Sequence, residues 1–246
     1  MKLFGLVGYP LAHSFSAAWF AKKFADTGQS DCEYRLIEVP DVSQLTTALA
    51  IENLHGFNVT IPYKQAIIPL LRSISDDARA IGAVNCVRVD SDGGWIGVNT
   101  DAPAFSRTLR PFLTQQHQRA LVLGNGGASA AVCFVLRQLG IEVVVIGRQE
   151  KAGIRRYDEL TPEAIAHFKL IVNTTPVGQF PNAGELPAIP TATIGPDHLV
   201  YDLVYNPAPT RLLEVAAARG ATTLNGLEML HLQAELSWKT WFEAPL

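Results

Sequence analysis

Short apolar runs alternate with helical patterns along most of the chain, and this alternation predicts βα units around a parallel sheet. In the first hundred residues we expect strands at 2–7, 33–39 and 56–59 and helices at 16–27, 42–50 and 76–81. Two further apolar runs, Cys86 to Val89 and Trp95 to Val98, flank the turn DSDGG. A pair of runs around such a turn predicts a β-hairpin.

The pattern changes at Asp101, where a helix leads into the opening βαβ unit of a dinucleotide-binding domain. Its strands are expected at 120–123 and 142–146, with a glycine turn and a helix between them, and later strands at 170–173 and 199–203. The last helix, 226–241, has an apolar face that we expect to pack on the first domain. The predicted fold is α/β, with a first domain of residues 1–100, a Rossmann domain of residues 101–225, and residues 226–246 returning to the first domain.

Composition narrows the class of protein. The 246 residues are 48% hydrophobic and can bury a substantial core. The 20 basic and 23 acidic residues are scattered, so we expect a small-molecule substrate and no nucleic-acid partner. The three cysteines lack metal-ligand spacing, which favours free thiols and no metal site. No apolar run resembles a signal peptide or a membrane span, so we expect a cytoplasmic protein without a membrane partner, either monomer or homodimer.

A glycine turn, GNGGAS from Gly124 to Ser129, follows the first strand of the second domain. Gly124 permits the tight turn, and Gly126 lets the backbone approach a pyrophosphate at the helix N-terminus. Ser129 stands where the general fingerprint has a third glycine. The turn therefore indicates dinucleotide binding, although glycine loops also serve turn geometry alone.

The residue after the next strand decides which nicotinamide cofactor is expected. An Asp or Glu there accepts from a free ribose 2′-hydroxyl, whereas this chain has Arg148. A guanidinium suits a 2′-phosphate because it stays charged and can bond two oxygens. Arg148 therefore favours NADP over NAD. Two alternatives remain: Arg148 could be a solvated loop residue, and Glu150 could serve NAD.

Lys64 and Asp101 are the candidate chemical groups. Hydride transfer to a ketone leaves negative charge on oxygen, which a catalyst must meet with a proton or a hydrogen-bond donor. Lys64 follows a strand and could be that donor, and a carboxylate at Asp101 would keep its ammonium charged or relay a proton. Taken separately, Lys64 could be a surface lysine and Asp101 a helix N-cap.

Seven segments occur in the order and approximate spacing of a known family. They are GYPLAHSFS (8–16), NVTIPYK (58–64), GAVN (82–85), NTD (99–101), GNGGA (124–128), NTTP (173–176) and GLEM through Gln233 (226–233). Together they resemble the shikimate dehydrogenase family, and the resemblance spans nearly the whole chain.

The resemblance implies a role for each matching residue. Lys64 and Asp101 form the catalytic pair. The implied substrate-binding residues are Ser14 and Ser16 at the carboxylate, Thr60, Asn85, Asp101 and Gln233 at the ring hydroxyls, and Tyr205 near the carboxylate end. The implied cofactor-binding residues are Gly124, Asn125, Gly126, Gly127, Ala128, Arg148, Thr175, Gly226 and Met229. Alone, the serines could be N-caps, Asn85 a turn residue, Gln233 a solvated residue, and Tyr205 and Met229 core residues.

The implied activity is the reversible NADPH-dependent reduction of 3-dehydroshikimate to shikimate, a step towards chorismate and the aromatic amino acids. Three alternatives remain: a relative that prefers quinate or uses NAD, a dinucleotide-binding sensor without catalysis, and a dehydrogenase of an unrelated substrate. The chain departs from the family at Gly147 to Gln149, where Asn-Arg-Thr is usual. The short distance from there to Leu170 predicts a shortened or missing crossover helix and a more open adenine pocket, which bears on the choice between NADP and NAD.

Overall fold

The computed structural model describes residues 1–12, 14–149 and 152–243. The chain divides into two compact units, the first formed by Met1–Asp101 and Leu232–Leu246 and the second by Ala102–His231. The boundary near the C-terminus falls inside the last helix, so residues 226–231 count with the second unit, although the sequence assigned them to the first. Among the described helices, none is both long and apolar enough to cross a membrane.

The first unit is built on a mixed six-stranded sheet in the order β2-β1-β3-β5-β6-β4. Its elements are β1 (Lys2–Gly8), α1 (Ser16–Asp26), β2 (Cys32–Glu38), α2 (Leu45–Ala48), β3 (Leu54–Val59), β4 (Ser73–Ile74), α3 (Asp76–Ile81), β5 (Cys86–Val89) and β6 (Trp95–Val98). Strands β1, β2 and β3 are parallel, and β5 and β6 form the predicted antiparallel hairpin. The predicted helix at 42–50 is a 3₁₀ turn at Val42–Gln44 followed by α2.

The alternation of side chains along β1 gives the first unit a core on each face of its sheet. Leu3 and Val7 point into a cluster with residues such as Phe57. Phe4, between them, points to the other face and joins an aromatic cluster with Phe20. Both faces of β1 are therefore covered, and its near-continuous apolar run reflects this burial.

The last helix, α8 (Leu227–Phe242), covers the aromatic face of the first unit. Ala234 and Trp238 belong to the same buried cluster as Phe4. The indole N–H of Trp241 donates to the carbonyl of Val87 at 3.0 Å. A Cβ on Gly56 would lie 2.5 Å from the Trp241 ring, so a glycine is needed beneath it. The predicted return of the C-terminal helix to the first domain is thus confirmed.

The second unit contains a six-stranded parallel sheet in the order β12-β11-β10-β7-β8-β9. Read from the other edge, this is the 3-2-1-4-5-6 order of the Rossmann fold. Its elements are α4 (Asp101–Leu109), β7 (Arg119–Leu123), α5 (Gly127–Gln138), β8 (Glu142–Gly147), β9 (Ile154–Arg156), α6 (Pro162–His167), β10 (Leu170–Asn173), β11 (Leu199–Asp202), α7 (Arg211–Ala217) and β12 (Thr222–Asn225).

The connection from β8 to β10 departs from a regular βαβ crossover. Strand β9 pairs in parallel with the end of β8, and Gly147 lies opposite Arg156. The described part of the short link between β8 and β9 contains no helix. The later helix α6 has only six residues and is capped by the Thr161 hydroxyl, which accepts from Ala164 N at 3.2 Å. The structure therefore agrees with the predicted shortening of the crossover helix.

Candidate active site

Lys64 and Asp101 form an ion pair in the first unit. The Lys64 Nζ lies 2.6 Å from Asp101 Oδ2, and their side chains are only 15% and 7% exposed. Lys64 lies in the loop after β3, and its carbonyl accepts from Val84 N at 2.7 Å, which ties this loop to the segment before β5. The two predicted chemical groups are therefore in contact, and the burial of both side chains makes the pair less screened than a surface pair.

Asn85 holds the other oxygen of Asp101. Its Nδ2 donates to Asp101 Oδ1 at 2.8 Å and to Thr100 Oγ1 at 2.9 Å, and its Oδ1 accepts from Thr100 N at 2.7 Å. A carboxylate only accepts and a backbone N–H only donates, so these partners determine the orientation of the amide. Both hydrogens of the Asn85 amide are committed inside the protein, and its Oδ1 retains acceptor capacity for a ligand.

Ser14, Ser16 and Thr60 lie at the carboxyl ends of β1 and β3, where the strand order of the first sheet reverses. Ligands of open α/β sheets bind at such a switch point. Ser14 Oγ accepts from Ser16 N at 3.2 Å at the start of α1, whose N-cap position, Phe15, makes no side-chain capping bond. Thr60 N donates to Val7 O at 2.9 Å, which joins the two strand ends.

Beneath these groups lies a set of side chains that the sequence did not single out: Tyr34, Asn58, Thr100 and Ser237, here called the polar layer. Tyr34 OH donates to Asn58 Oδ1 at 2.9 Å, and Asn58 Nδ2 donates to Ser237 Oγ at 2.7 Å. Burial raises the pKa of the Tyr34 phenol, and a hydrogen bond from the Ser16 side chain opposes that shift. The layer connects residues up to 179 positions apart.

Gln233 lies on α8, one helical turn before Ser237, and its side chain is half-buried. Its backbone carbonyl accepts from Ser237 Oγ at 2.9 Å. Cys86 lies near Ser237 as well, and burial raises the pKa of its thiol to about 12, so the thiol stays neutral. The first unit therefore contains all of Ser14, Ser16, Thr60, Lys64, Asn85, Asp101 and Gln233.

The glycine turn of the second unit connects β7 to α5. Gly124 has a φ of +104°, and a Cβ there would lie 2.7 Å from Thr174 Oγ1. A Cβ on Gly126 would meet nothing within 4 Å, and Gly126 caps α5 without a side-chain hydrogen bond. The first amides of α5, at Gly127 and Ala128, therefore have no side-chain cap beside an open backbone. Asn125 lies beside Gly147, 3.5 Å from the position of its missing Cβ. This arrangement fits a pyrophosphate.

The end of β10 is fixed next to this turn by a buried network. Thr174 Oγ1 donates to Leu123 O at 2.6 Å, and Thr175 Oγ1 donates to Asn173 Oδ1 at 2.6 Å. Asn173 Nδ2 in turn donates to Asp202 Oδ1 at 2.9 Å. Burial raises the pKa of the Asp202 carboxyl, opposed by its hydrogen bonds. Thr175 is thus held at the switch point of the second sheet, between β7 and β10.

The remaining residues assigned by the sequence also lie in the second unit. Tyr205 is half-buried in the loop after β11, and Met229 is only 7% exposed on the first turn of α8. A Cβ on Gly226 would lie 2.0 Å from the carbonyl oxygen of Leu203, so only glycine fits this contact between two backbones.

Arg148 is exposed immediately after β8. Burial raises the pKa of the Tyr157 phenol, and the positive charge of Arg148 opposes this shift, which indicates that the two side chains are close. An exposed guanidinium at the end of the second Rossmann strand fits a ribose 2′-phosphate. Glu150, the alternative that would serve NAD, lies outside the described residues.

Comparisons with known proteins bear on the family of the chain. The family described as shikimate dehydrogenase substrate binding domain matches residues 6–87. A shikimate dehydrogenase (NADP(+)) from Carboxydothermus hydrogenoformans is 35% identical over 257 residues, covering 98% of this chain and 91% of the relative.

Solved structures are similar over the same extent. The shikimate dehydrogenase of Aquifex aeolicus has a TM-score of 0.87 and 31% identity, covering 100% of this chain and 94% of its own. The shikimate 5-dehydrogenase of Thermus thermophilus in complex with NADP(H) and shikimate has a TM-score of 0.84 and 33% identity, with coverages of 100% and 95%. A quinate dehydrogenase of Corynebacterium glutamicum in complex with NAD has a TM-score of 0.84 and 28% identity, with coverages of 99% and 94%. With a relative of this identity and coverage, the chain belongs to the shikimate dehydrogenase family.

Proposed function

We propose that the protein is a shikimate dehydrogenase that reduces 3-dehydroshikimate to shikimate with NADPH, reversibly, as a step towards chorismate and the aromatic amino acids. In this proposal the first unit binds the substrate and the second binds the cofactor. The observation that carries the proposal is the buried contact between Lys64 and Asp101, with 2.6 Å between Nζ and Oδ2.

When bound, NADPH supplies the hydride that reduces the carbonyl carbon of the substrate. The negative charge that develops on the carbonyl oxygen is met by the Lys64 ammonium, which donates a proton to that oxygen. Asp101 holds the ammonium in place through Oδ2, while Asn85 fixes Oδ1 and so the direction of the carboxylate. In the oxidation of shikimate, the same lysine accepts the proton from the hydroxyl.

The substrate-binding residues match the chemistry of shikimate, a carboxylate on a ring with three hydroxyls. Ser14 and Ser16 hydroxyls at the start of α1 suit the carboxylate, because hydroxyl and amide donors and the helix dipole all favour an anion. Thr60, the free lone pair of Asn85 and the Gln233 amide suit the ring hydroxyls, which both donate and accept. The family resemblance assigns Tyr205, in the second unit, to the carboxylate end.

NADP is the proposed cofactor. Gly124 to Ala128 and Thr175 would hold the pyrophosphate, with Gly126 as the position where the backbone is open. Gly226 and Met229 are assigned to the nicotinamide half. Arg148 is exposed and stands at the position where NAD enzymes usually have an Asp or Glu. The second candidate activity is oxidation of quinate with NAD, favoured by the similarity to the quinate dehydrogenase that binds NAD.

The proposed setting is the cytoplasm, with small molecules as partners. Cys32, Cys86 and Cys133 are free thiols, the state maintained in a reducing compartment.

The experiment that tests the proposed chemistry replaces Lys64 by alanine. We expect Lys64→Ala to lower kcat for shikimate oxidation by at least about a hundredfold, the usual contribution of a positioned acid or base, with a modest change in KM. Lys169→Ala is the matched control, because Lys169 lies in the second unit and its ion-pair partner among the described residues is Asp197 at 3.9 Å. Near-normal turnover of Lys64→Ala would exclude the lysine as the proton donor.

A further inference from the structure

Ser237 is the point where α8 meets the polar layer. It is 0% exposed, and its single hydroxyl lies against three oxygen or nitrogen partners, with the buried Cys86 thiol also beside it. Ser237 Oγ is 2.9 Å from Gln233 O, 2.7 Å from Asn58 Nδ2 and 3.4 Å from Thr100 Oγ1. A hydroxyl has one proton and two acceptor lone pairs, so all three capacities of this group are used.

The direction of each hydrogen bond follows from the chemistry of the partners. The Gln233 carbonyl only accepts, so Ser237 donates its proton there. Thr100 must then donate to Ser237, and its own oxygen accepts from Asn85 Nδ2 at 2.9 Å. The second hydrogen of the Asn85 amide goes to Asp101 Oδ1. One directed chain therefore starts at the Asn85 amide, which also holds Asp101, and ends at the backbone carbonyl of Gln233.

We propose that Ser237 is a positioning residue that keeps Gln233 in register with Asp101, so that the group binding the substrate hydroxyls and the catalytic pair keep one fixed geometry. The inference rests on the proposed function, because it takes Gln233 and Asp101 as substrate-binding groups. Among the described residues of α8, no other hydroxyl bonds to both Asn58 and Thr100.

Loss of the Ser237 hydroxyl has a specific consequence. In Ser237→Ala, the Thr100 hydroxyl loses its acceptor and Asn58 Nδ2 keeps only the 3.2 Å contact with Asn85 O. Buried donors without acceptors are costly, so Asn58 and Thr100 reorient, and Asn85 follows because its amide is bonded to Thr100. The Gln233 carbonyl loses its bond from the Ser237 hydroxyl at the same time. We expect weaker shikimate binding without a matching change in NADP binding.

The test compares Ser237→Ala with Thr240→Ala in the full-length protein. Thr240 lies three residues further along the same helix, and its hydroxyl donates to Leu236 O at 2.9 Å. Thr240→Ala therefore removes a similar bond from a hydroxyl to the preceding turn. We expect Ser237→Ala to raise KM for shikimate about fivefold to tenfold, the effect of one misaligned hydrogen bond, with KM for NADP unchanged. Thr240→Ala should leave both KM values unchanged.

A second variant tests the same chain of hydrogen bonds in case Ser237→Ala does not fold. Thr100→Val keeps the branched shape, breaks the same chain, and should raise KM for shikimate in the same way. The double variant should show no further increase, because both changes interrupt one chain. An unchanged KM for shikimate in Ser237→Ala, or in Thr100→Val if the first variant does not fold, would overturn the inference. Absence of turnover in the wild type would overturn the proposed function itself.

Discussion

The burial of the Lys64–Asp101 pair predicts strong energetic coupling between the two side chains. Asp101→Asn retains the shape but removes the charge. Because Asn85 Nδ2 needs an acceptor at the Oδ1 position, the new amide must direct its NH₂ group towards Lys64 Nζ, where Oδ2 stood at 2.6 Å. Two donors then face each other beside a charge that is only 15% exposed.

Removing one partner of a buried ion pair costs about 3–5 kcal/mol, because the other charge is left without compensation. Lys64 keeps some contact with water, so we expect Asp101→Asn to lower the free energy of unfolding by about 2–4 kcal/mol. Lys64→Met should be destabilising for the same reason. The double variant, Asp101→Asn with Lys64→Met, removes both charges. Its loss of unfolding free energy should be smaller than the sum of the two single losses, with a coupling energy of about 2 kcal/mol or more.

The assay is urea unfolding of the four proteins, followed by fluorescence of the four tryptophans and by circular dichroism. The Lys22–Asp26 pair is the control, since its atoms are also 2.6 Å apart but its side chains are 75% and 56% exposed. We expect a coupling of about 0.5 kcal/mol or less there. Equal coupling in the two pairs would refute the argument that burial, rather than distance, gives the Lys64–Asp101 pair its strength.

Two other predictions concern the second unit. Arg148→Ala should weaken NADP binding about tenfold or more and leave NAD binding unchanged, because only NADP has the 2′-phosphate. Calorimetric titration measures both affinities. An equal loss of affinity for the two cofactors would contradict the role of Arg148. Burial, with a smaller effect of His198, lowers the pKa of His117 in the folded state, so the unfolded chain binds a proton first as the pH falls. The free energy of unfolding should therefore decrease below about pH 6.5 until the folded pKa is reached. In His117→Asn, the urea midpoint should depend less on pH over this range. An unchanged pH dependence of the midpoint would exclude His117 as its source.

The elements with a clear periodic pattern could be predicted from the sequence. The hairpin of Cys86–Val89 and Trp95–Val98, and strand Leu170–Asn173, occur at the predicted residues. Strand β9 was not predicted, because Ile154–Arg156 is three residues long with one apolar position, and it forms only by pairing with β8. Strand β12 and helix α7 were also not assigned.

The candidate site was predictable where motif and chemistry coincide, as for Lys64 and Asp101. The polar layer was not, because its bonds join positions remote in sequence: Asn58 and Ser237 each resemble an ordinary polar residue until α8 packs on the first sheet. The hydrogen bonds of Asn85 could not be predicted either, because its residue type does not reveal that both amide hydrogens are donated inside the protein.

The most direct test of the account is the absorbance of reduced nicotinamide when the purified protein is mixed with shikimate and NADP, with shikimate and NAD, and with quinate and each cofactor. We expect rapid reduction of NADP with shikimate and a much lower kcat/KM for the other pairs. Dominant activity with quinate or NAD would contradict the assignment of substrate or of Arg148, and absence of turnover with every pair would contradict the proposed catalysis by Lys64 and Asp101.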